Sequence, residues 1–545
     1  MNSKITQALS AKESGDISKY FEEVDKIISL NDGIHDNKML SMECYDRPTP
    51  VQSGQYTKFH LSDAGIDCVN IDKSYITATM TYRIKLSDSE STLSQQAGYD
   101  DLFQIFIGLK NASHNFDVYR IYIRHNQIYS QTDSIYEQAL VTAMKPKPEM
   151  FRPHMYSMWD EAHNHSNNVC GAYIPIRPNR NSTFDVSFDI AIQIDDLLPF
   201  SGCSVLPTFI TGDLELEIRN RIQGNLVWCQ VNPEVLMEEN MILNAAAGTL
   251  TSISTVAGLL KQSQYTHEFT QVGDAAEVSL AYSYSSTATM KVMFLTVECV
   301  NSVMNNAMSH INGFRLKDSV IKQLQVKYAS RPLIIPAQIC KHDLFAQRPT
   351  AGGLKLNTNI TLTNCTNIAL SFPQTANEIT VAKNPEQQAA QLIVMGKNIP
   401  DKSVGTLDAA HCEMCLTNAA LDSLFEAQPS FIESLTRTAS NGSAKVRRPH
   451  DATDYYFNAS LERFGNGVFC DGLTSPGAIT LTFQSNSIWS GNADPYYRPD
   501  INDRTVLNVQ PINIMSVEDC FWVITPDRVL LTADVYTPEI TEPKA

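Results

Sequence analysis

Charge is scarce in this sequence. Of 545 residues only 19% are Asp, Glu, Lys or Arg, against 43% apolar, where globular domains usually carry about 25% charge. A disordered or solvating chain is therefore excluded, since such chains are charge-rich and apolar-poor. Little charge on so large a chain implies that much of its surface meets protein rather than water. Positive charge is the scarcer sign: 42 Lys and Arg against 59 Asp and Glu, a net of −17. No long Lys/Arg run occurs, so a folded surface that grips nucleic acid, with the clustered cations phosphates require, is not expected. The first residues, MNSKITQALSAKESGD, lack the apolar core of a secretory signal. The twelve cysteines are scattered and read as free thiols of a reducing compartment rather than a disulfide framework. Asn-x-Ser/Thr sequons, among them those at Asn111, Asn181, Asn359, Asn364, Asn441 and Asn458, then read as chance matches. The one long uncharged stretch, 241–260, holds six Asn, Ser or Thr and is too polar for a membrane span.

Catalytic motifs are missing too. There is no GxSxG, HExxH, P-loop or GxGxxG, and Gly465-Asn466-Gly467 reads as a hairpin turn. Cys412 and Cys415, after His411, form the only CxxC. A structural zinc site needs four ligands, and no second pair exists, so these read as loop or buried thiols. Asp160, Glu161, His163 and His165 are the densest set of potential ligands, but the asparagines and serine around them spell a solvated or inter-subunit loop. Lys445, Arg447 and Arg448 lack interleaved aromatics and read as a solvated loop, with contact to an acidic partner as the alternative. Trp159, Trp228, Trp489 and Trp522 do not cluster as a sugar platform would, and Trp228 and Trp522 lie in strand-like runs that belong to a core. No catalytic, cofactor-binding or metal-ligating residue is assigned.

What the sequence has is period two. From Tyr75 to Leu86, Ile76, Ala78, Met80, Tyr82, Ile84 and Leu86 alternate without a miss with Thr77, Thr79, Thr81, Arg83 and Lys85. That is a strand with one buried face. Phe184–Ile194 repeats the pattern; so do Leu214, Leu216 and Ile218 against Glu215, Glu217 and Arg219, and shorter runs near 278–284, 368–372 and 479–483. The runs 292–300 and 520–524 are apolar on both faces and read as central strands. Half-buried strands separated by turn clusters imply antiparallel sandwiches, an all-β fold. Helical spacing is sparse. Ile17, Tyr20, Phe21, Val24, Ile27 and Ile28 mark one amphipathic helix, which packs either on its own sandwich or on a neighbouring chain. Leu316, Val320, Ile321, Leu324 and Tyr328 mark a second, ending near Pro332; Leu421, Leu424 and Phe425 mark a short third.

The second helix divides the chain, and both halves run strand, loop, strand, polar turn, helical stretch, strands. The expected organisation is an N-terminal arm over 1–38, a first jelly roll over 39–312, a linker helix over 313–332, a second jelly roll over 333–537 and a tail over 538–545. The longest expected loops or towers are 86–102, 132–170 and 437–455.

The segments TKFHLSDAGIDCVNIDKSYITATMTYRIKL (57–86), FIGLKNASHNFDVYRIYIRHNQIYSQ (106–131), SRPLIIPAQICKHDLF (330–345), the 364–402 run, LTNAALDSLFEAQPSFIESLT (416–436) and VEDCFWVITPD (517–527) together resemble the double jelly-roll major capsid proteins of polintons, polinton-like viruses and adintoviruses. These share their fold with the adenovirus hexon and virophage capsid proteins. The resemblance implies a structural capsid protein, not an enzyme. Two tandem jelly rolls would form pseudo-hexameric homotrimers that tile an icosahedral virion shell, assembled inside the host cell and not secreted. The implied partners are the chain itself, neighbouring trimers, and penton or minor capsid proteins. No cofactor and no direct nucleic-acid binding is implied, and contact with an internal membrane is left open. The rival readings are a tandem β-sandwich that binds glycans or host surfaces, and an enzyme with a metal held by the 160–165 cluster.

Overall fold

The computed structural model describes residues 34–45, 50–88, 104–109, 112–134, 137, 140, 171–175, 182–221, 226–231, 241–244, 249–252, 270–271, 275–280, 291–329, 332–345, 354–358, 360–371, 387–394, 396–404, 409, 413, 456–461, 472–475, 479–485 and 512–532. The strand with perfect alternation forms as its pattern dictates. Tyr75–Asp88 buries Ile76, Ala78, Met80, Tyr82, Ile84 and Leu86 and turns Arg83 and Lys85 to solvent. Its partner Thr183–Gln193 buries Val186, Phe188, Ile190 and Ile192 and exposes Asp185, Ser187 and Asp189. A pleated strand whose alternate residues are apolar has one stable placement, over a core.

Sixteen strands build two sandwiches. In the first half they are β1 (Ile34–Glu43), β2 (Tyr56–His60), β3 (Tyr75–Asp88), β4 (Phe116–Ile123), β5 (Asn126–Thr132), β6 (Thr183–Gln193), β7 (Leu214–Asn220) and β8 (Lys291–Leu316). Helix α1 (Asp318–Ala329) follows. The second half has β9 (Leu333–Phe345), β10 (Leu354–Thr358), β11 (Leu362–Ser371), β12 (Gln387–Val394), β13 (Lys397–Val404), β14 (Tyr456–Ser460), β15 (Ile479–Ser485) and β16 (Ile512–Ile524). Every pairing among them is antiparallel. One sheet of the first half has the order β1-β8-β3-β6, and the other β2-β7-β4-β5. The second half repeats this strand for strand: β9-β16-β11-β14 and β10-β15-β12-β13. That order, with consecutive strands switching between sheets, is the jelly roll. The chain is an all-β tandem of two jelly rolls.

Short strands decorate this frame. Val51–Gln52, Cys68–Asn70 and Ala275–Leu280 extend along β8, Val205–Pro207 pairs with Cys68–Asn70, Leu473–Ser475 pairs with β11, and Val529–Thr532 pairs with β16. A further four-stranded sheet joins Gln104–Gly108, Gly171–Pro175, Val227–Val231 and Thr270–Gln271. Its strands come from the β3–β4, β5–β6 and β7–β8 connections. In a jelly roll these three connections leave from one end of the sandwich, because strand direction alternates. That end carries the long insertions, whereas β4 and β5 at the opposite end are joined by the two-residue turn Arg124-His125.

The second predicted helix is present as α1, with Val320, Leu324 and Tyr328 buried. The first and third, at 17–28 and 421–425, lie outside the described residues. One reading is corrected. The run 292–300 was expected to be apolar on both faces of a central strand; β8 is central, but only Val297 of 296–300 is buried, and Val300 is 55% exposed. Over 296–300 its outer face is open to solvent. The other such run, 520–524, is buried on both faces within a fully buried β16.

One apolar core runs from the first sandwich through Val320, Leu324 and Tyr328 of α1 into Leu333, Ile335, Ala337, Cys520, Trp522, Ile524 and Val529 of the second half. A smaller core around Ile368, Leu370, Phe457 and Ile514 fills the second sandwich. Ile121, wholly buried in the larger core, gives a direct check: Ile121→Ala should lower unfolding free energy by about 2–5 kcal/mol in a denaturant titration.

Candidate functional site

The first sandwich presents an ordered polar face built on β2, β7 and β4. Alternation predicts that Glu215, Glu217 and Arg219 point away from the core, and they do. Yet Glu215 is only 3% exposed and Glu217 only 8%. Register explains their burial. Arg219 lies beside Tyr56 and Val118, Glu217 beside Lys58 and Arg120, and Glu215 beside His60 and Tyr122. Arg120 donates from Nη1 to Glu217 Oε2 at 2.8 Å, and the Tyr122 hydroxyl donates to the same oxygen at 3.2 Å. Arg219 grips Asp117 with two parallel bonds, Nε to Oδ1 at 2.7 Å and Nη2 to Oδ2 at 2.6 Å. The Tyr56 ring packs against both guanidiniums, at 4.7 Å and 5.6 Å, and Lys58 lies over Tyr122 at 4.5 Å. His125 Nδ1 is 3.0 Å from Glu215 Oε1, and Tyr45 stacks on His60 at 3.9 Å.

The carboxylates hold both arginines charged: the hydrogen bond with Glu217 raises the pKa of Arg120, and that with Asp117 raises Arg219. Burial, with Glu217 next, raises Tyr122. Nothing in this array is a nucleophile paired with a base. Paired Arg and flat Tyr, fixed by a bidentate bond at Arg219 and a single one at Arg120, make instead a rigid surface of the composition enriched at protein contacts.

The outer face of β6-β3-β8 is more open. Arg83 pairs with Asp185 at 2.9 Å and Lys85 with Glu298 at 3.3 Å, each side chain about half exposed. The hydrogen bond from Arg83 draws Asp185 below the usual carboxylate range. Such exposed pairs contribute little stability. His310 stacks on Tyr75 at 4.7 Å and bridges Ser41, 2.8 Å from Nδ1, and Thr77, 2.7 Å from Nε2. Burial lowers its pKa. Met39, 57% exposed, adds an apolar point to β1.

The third feature is the seam between the sandwiches. The β4–β5 turn holds Arg124 at φ 52° and His125 at φ 60°, a left-handed pair that usually calls for Asn-Gly. Arg124 meets that constraint with four acceptors. It donates from Nε to Thr211 O at 2.9 Å and from Nη2 to Ile210 O at 2.7 Å, then across the seam from Nη1 to Pro526 O at 2.6 Å and from Nη2 to Thr525 O at 3.4 Å. Gly212, at φ +83°, lets the guanidinium stem pass: a Cβ there would lie 2.8 Å from Arg124 Cγ. Nearby, Trp522 Nε1 donates to Pro199 O at 2.6 Å and its ring stacks on Phe200 at 5.9 Å. Gly202 abuts β9, where a Cβ would lie 2.5 Å from Pro336 O. Arg124 and Thr525-Pro526 stand at the short-turn ends of their respective sandwiches, so both jelly rolls point the same way.

Glu137 lies by the same seam, fully buried. Its carboxylate accepts from the Tyr119 hydroxyl at 2.8 Å and from the Leu198 N–H at 3.0 Å. Farther along β9, Lys341 pairs with the buried Glu518 at 2.6 Å, and His342 Nε2 is 3.7 Å from Asp133.

Most residues singled out from sequence lie outside the described residues: Asp160, Glu161, His163 and His165; His411, Cys412 and Cys415; Lys445, Arg447 and Arg448; Trp159 and Trp489; and the 465–467 turn. Trp228 and Trp522 are core residues, as their strand context predicts. Among the described residues no group of three or more His, Cys, Asp or Glu could hold a metal, and no helix is long and apolar enough to cross a membrane. Burial pushes the Cys299 thiol up to about 11 and raises Cys340 and Cys365 well above the ordinary thiol value, which keeps them unreactive. Arg124, Gly202 and Glu137 were not singled out from sequence. The one available signal was a two-residue gap between alternating runs filled by Arg-His rather than Asn-Gly.

Two seam variants test the geometry. Arg124→Ala should cost about 1.5–3 kcal/mol per lost charged hydrogen bond that water does not replace. Gly202→Val drives a side chain into the β9 backbone and should lower the melting temperature by several degrees in calorimetry. On the polar face, Arg120→Ala removes the charged partner of Glu217 and should cost about 1–3 kcal/mol in the same assay, with Arg120→Lys intermediate.

Comparison with known proteins gives fold-level likeness only. No protein-family model matches the sequence, and no curated protein matches it. Among solved structures, the chain is similar to the cryo-EM structure of the Sputnik virophage, with 11% identity, 94% of this chain and 92% of that chain covered, and TM-score 0.46. It is similar to the PBCV-1 virus capsid at 10% identity over 91% of this chain and 96% of that one, TM-score 0.44. The mavirus major capsid protein follows at 9% identity, 90% and 91% coverage and TM-score 0.36.

Proposed function

We propose that this chain is a structural major capsid protein, a building block of a viral shell rather than a catalyst. The observation that carries the reading is the duplicated strand order, β1-β8-β3-β6 with β2-β7-β4-β5 and its repeat eight strands later, in two jelly rolls locked with one polarity. Two barrels side by side make an elongated block. Three such blocks about a threefold axis give six barrels and a pseudo-hexagonal outline suited to tiling. The long insertions leave the first sandwich at a single end, which suits a block with one face to the shell exterior. Edges support the same role. Among the described strands β6 pairs only with β3 and β14 only with β11, and neighbouring subunits can cover such edges.

In this reading the block divides into an arm over 1–38, jelly rolls over 39–312 and 333–537 joined by 313–332, and a tail over 538–545, with β1 starting inside the arm at Ile34 and β8 running into the joint as far as Leu316. Its partners are its own copies, neighbouring trimers, and penton or minor capsid proteins. It functions in the virion and is assembled inside the host cell. The low charge fits broad obligate contacts of about 2,000–5,000 Å², and weak trimer–trimer contacts close the shell through multivalency. The glycan-binding alternative relies on exposed aromatics, and Trp228 and Trp522 are buried.

Light scattering of the purified chain should give a trimer, three chains of 60.7 kDa or about 182 kDa. Negative-stain images should show hexagonal particles or arrays. A monomer at micromolar concentration that never forms arrays refutes the proposal.

A further inference from the structure

We propose that Glu137 makes the seam between the two jelly rolls a proton-operated clamp, closed while its carboxyl is protonated and weakened when it ionises. The inference concerns contacts within one chain and stands apart from the capsid reading.

The geometry is that of an acid sealed against β4 and the β6–β7 connection. Glu137 is 0% exposed. The Tyr119 hydroxyl of β4 lies 2.8 Å from each carboxyl oxygen, and the Leu198 N–H of the β6–β7 connection donates to Oε1 at 3.0 Å. Tyr129 of β5 and Cys340 of β9 feel its charge, and the connection that holds Leu198 seats the second jelly roll: Trp522 Nε1 donates to Pro199 O at 2.6 Å and Gly202 abuts Pro336 of β9. The neighbouring ionisable groups of β9 are committed elsewhere: Lys341 to Glu518 and His342 toward Asp133. Among the described residues, the groups that act on Glu137 are thus two phenols, a thiol and a main-chain N–H, and none of these is a cation that would compensate a carboxylate.

The neutral acid fits these surroundings. Oε1 keeps the Leu198 N–H and the Tyr119 hydroxyl as donors while Oε2 carries the proton. The ionised acid keeps both donors but holds a bare charge in an apolar wall, which two neutral hydrogen bonds offset only in part. Burial accordingly pushes Glu137 up to about 7, against the opposing hydrogen bonds of Leu198 and Tyr119. The sign follows from linkage. A carboxyl that binds its proton more tightly folded than unfolded adds stability below its ordinary value of 4.5, and that stability is lost as pH rises through about 7. Titration at the seam falls in the neutral range, where modest pH changes alter its occupancy.

The test compares the full chain with Glu137→Gln, which keeps the shape and cannot ionise. From pH 5 to pH 8.5, the folded-to-unfolded ratio of the parent in denaturant should fall relative to the variant by a factor on the order of 100. Hydrogen exchange at the Leu198 amide should show the same divergence locally. Parallel pH profiles for the two proteins overturn the proposal. Tyr119→Phe provides the second arm, needed if the Gln variant does not fold. It removes a hydrogen bond that favours the carboxylate, so the pH at which the parent loses stability should move upward. A transition that stays in place overturns the proposal equally.

Discussion

The structure depends on the junction at which the two jelly rolls share one core. A jelly roll closes its own core and could stand alone; two in one chain could adopt any mutual orientation. Here Trp522 enters the core of the other half and the Arg124 guanidinium holds carbonyls from both halves at once. An arginine suits this role because its planar fork offers several donors with fixed directions and keeps its charge. The left-handed Arg124-His125 turn aims the fork, and Gly212 leaves space for its stem. The consequence is a single block with a defined top and bottom.

The polar faces show how such a block avoids being merely sticky. On β2, β7 and β4, acids are buried beneath arginines and tyrosines, with hydrogen bonds closing the array. Side chains fixed in this way lose little further freedom when another surface covers them, which is the advantage of preorganisation. The β6-β3-β8 face keeps its ion pairs wet and spaced. Both faces are polar by sequence, yet one is rigid and half-buried, the other open.

Much of the architecture is legible in the primary structure. The alternation at 75–86 and 184–192 placed two strands and their buried faces, the 520–524 run marked a central strand, and the α1 spacing marked the helix between the halves. The match failed at 296–300, because an apolar residue such as Val300 can occupy an outer face that nothing in the described chain covers. It was incomplete at Glu215 and Glu217: alternation gave their direction, but not the arginines that close over them. Glu137 carried no local pattern at all.

The sequence by itself determined the all-β class, the positions of its clearest strands and which side of each is apolar, because a period of two is a property of neighbouring residues and needs no partner to be read. Only the tertiary structure decided that the sheets take the jelly-roll order, that the two sandwiches share a core and a direction, and that an acid is sealed at their junction. Those outcomes rest on contacts between distant parts of the chain, such as Arg124 with Pro526, 402 positions away. Local periodicity carries no information about which distant surface will arrive.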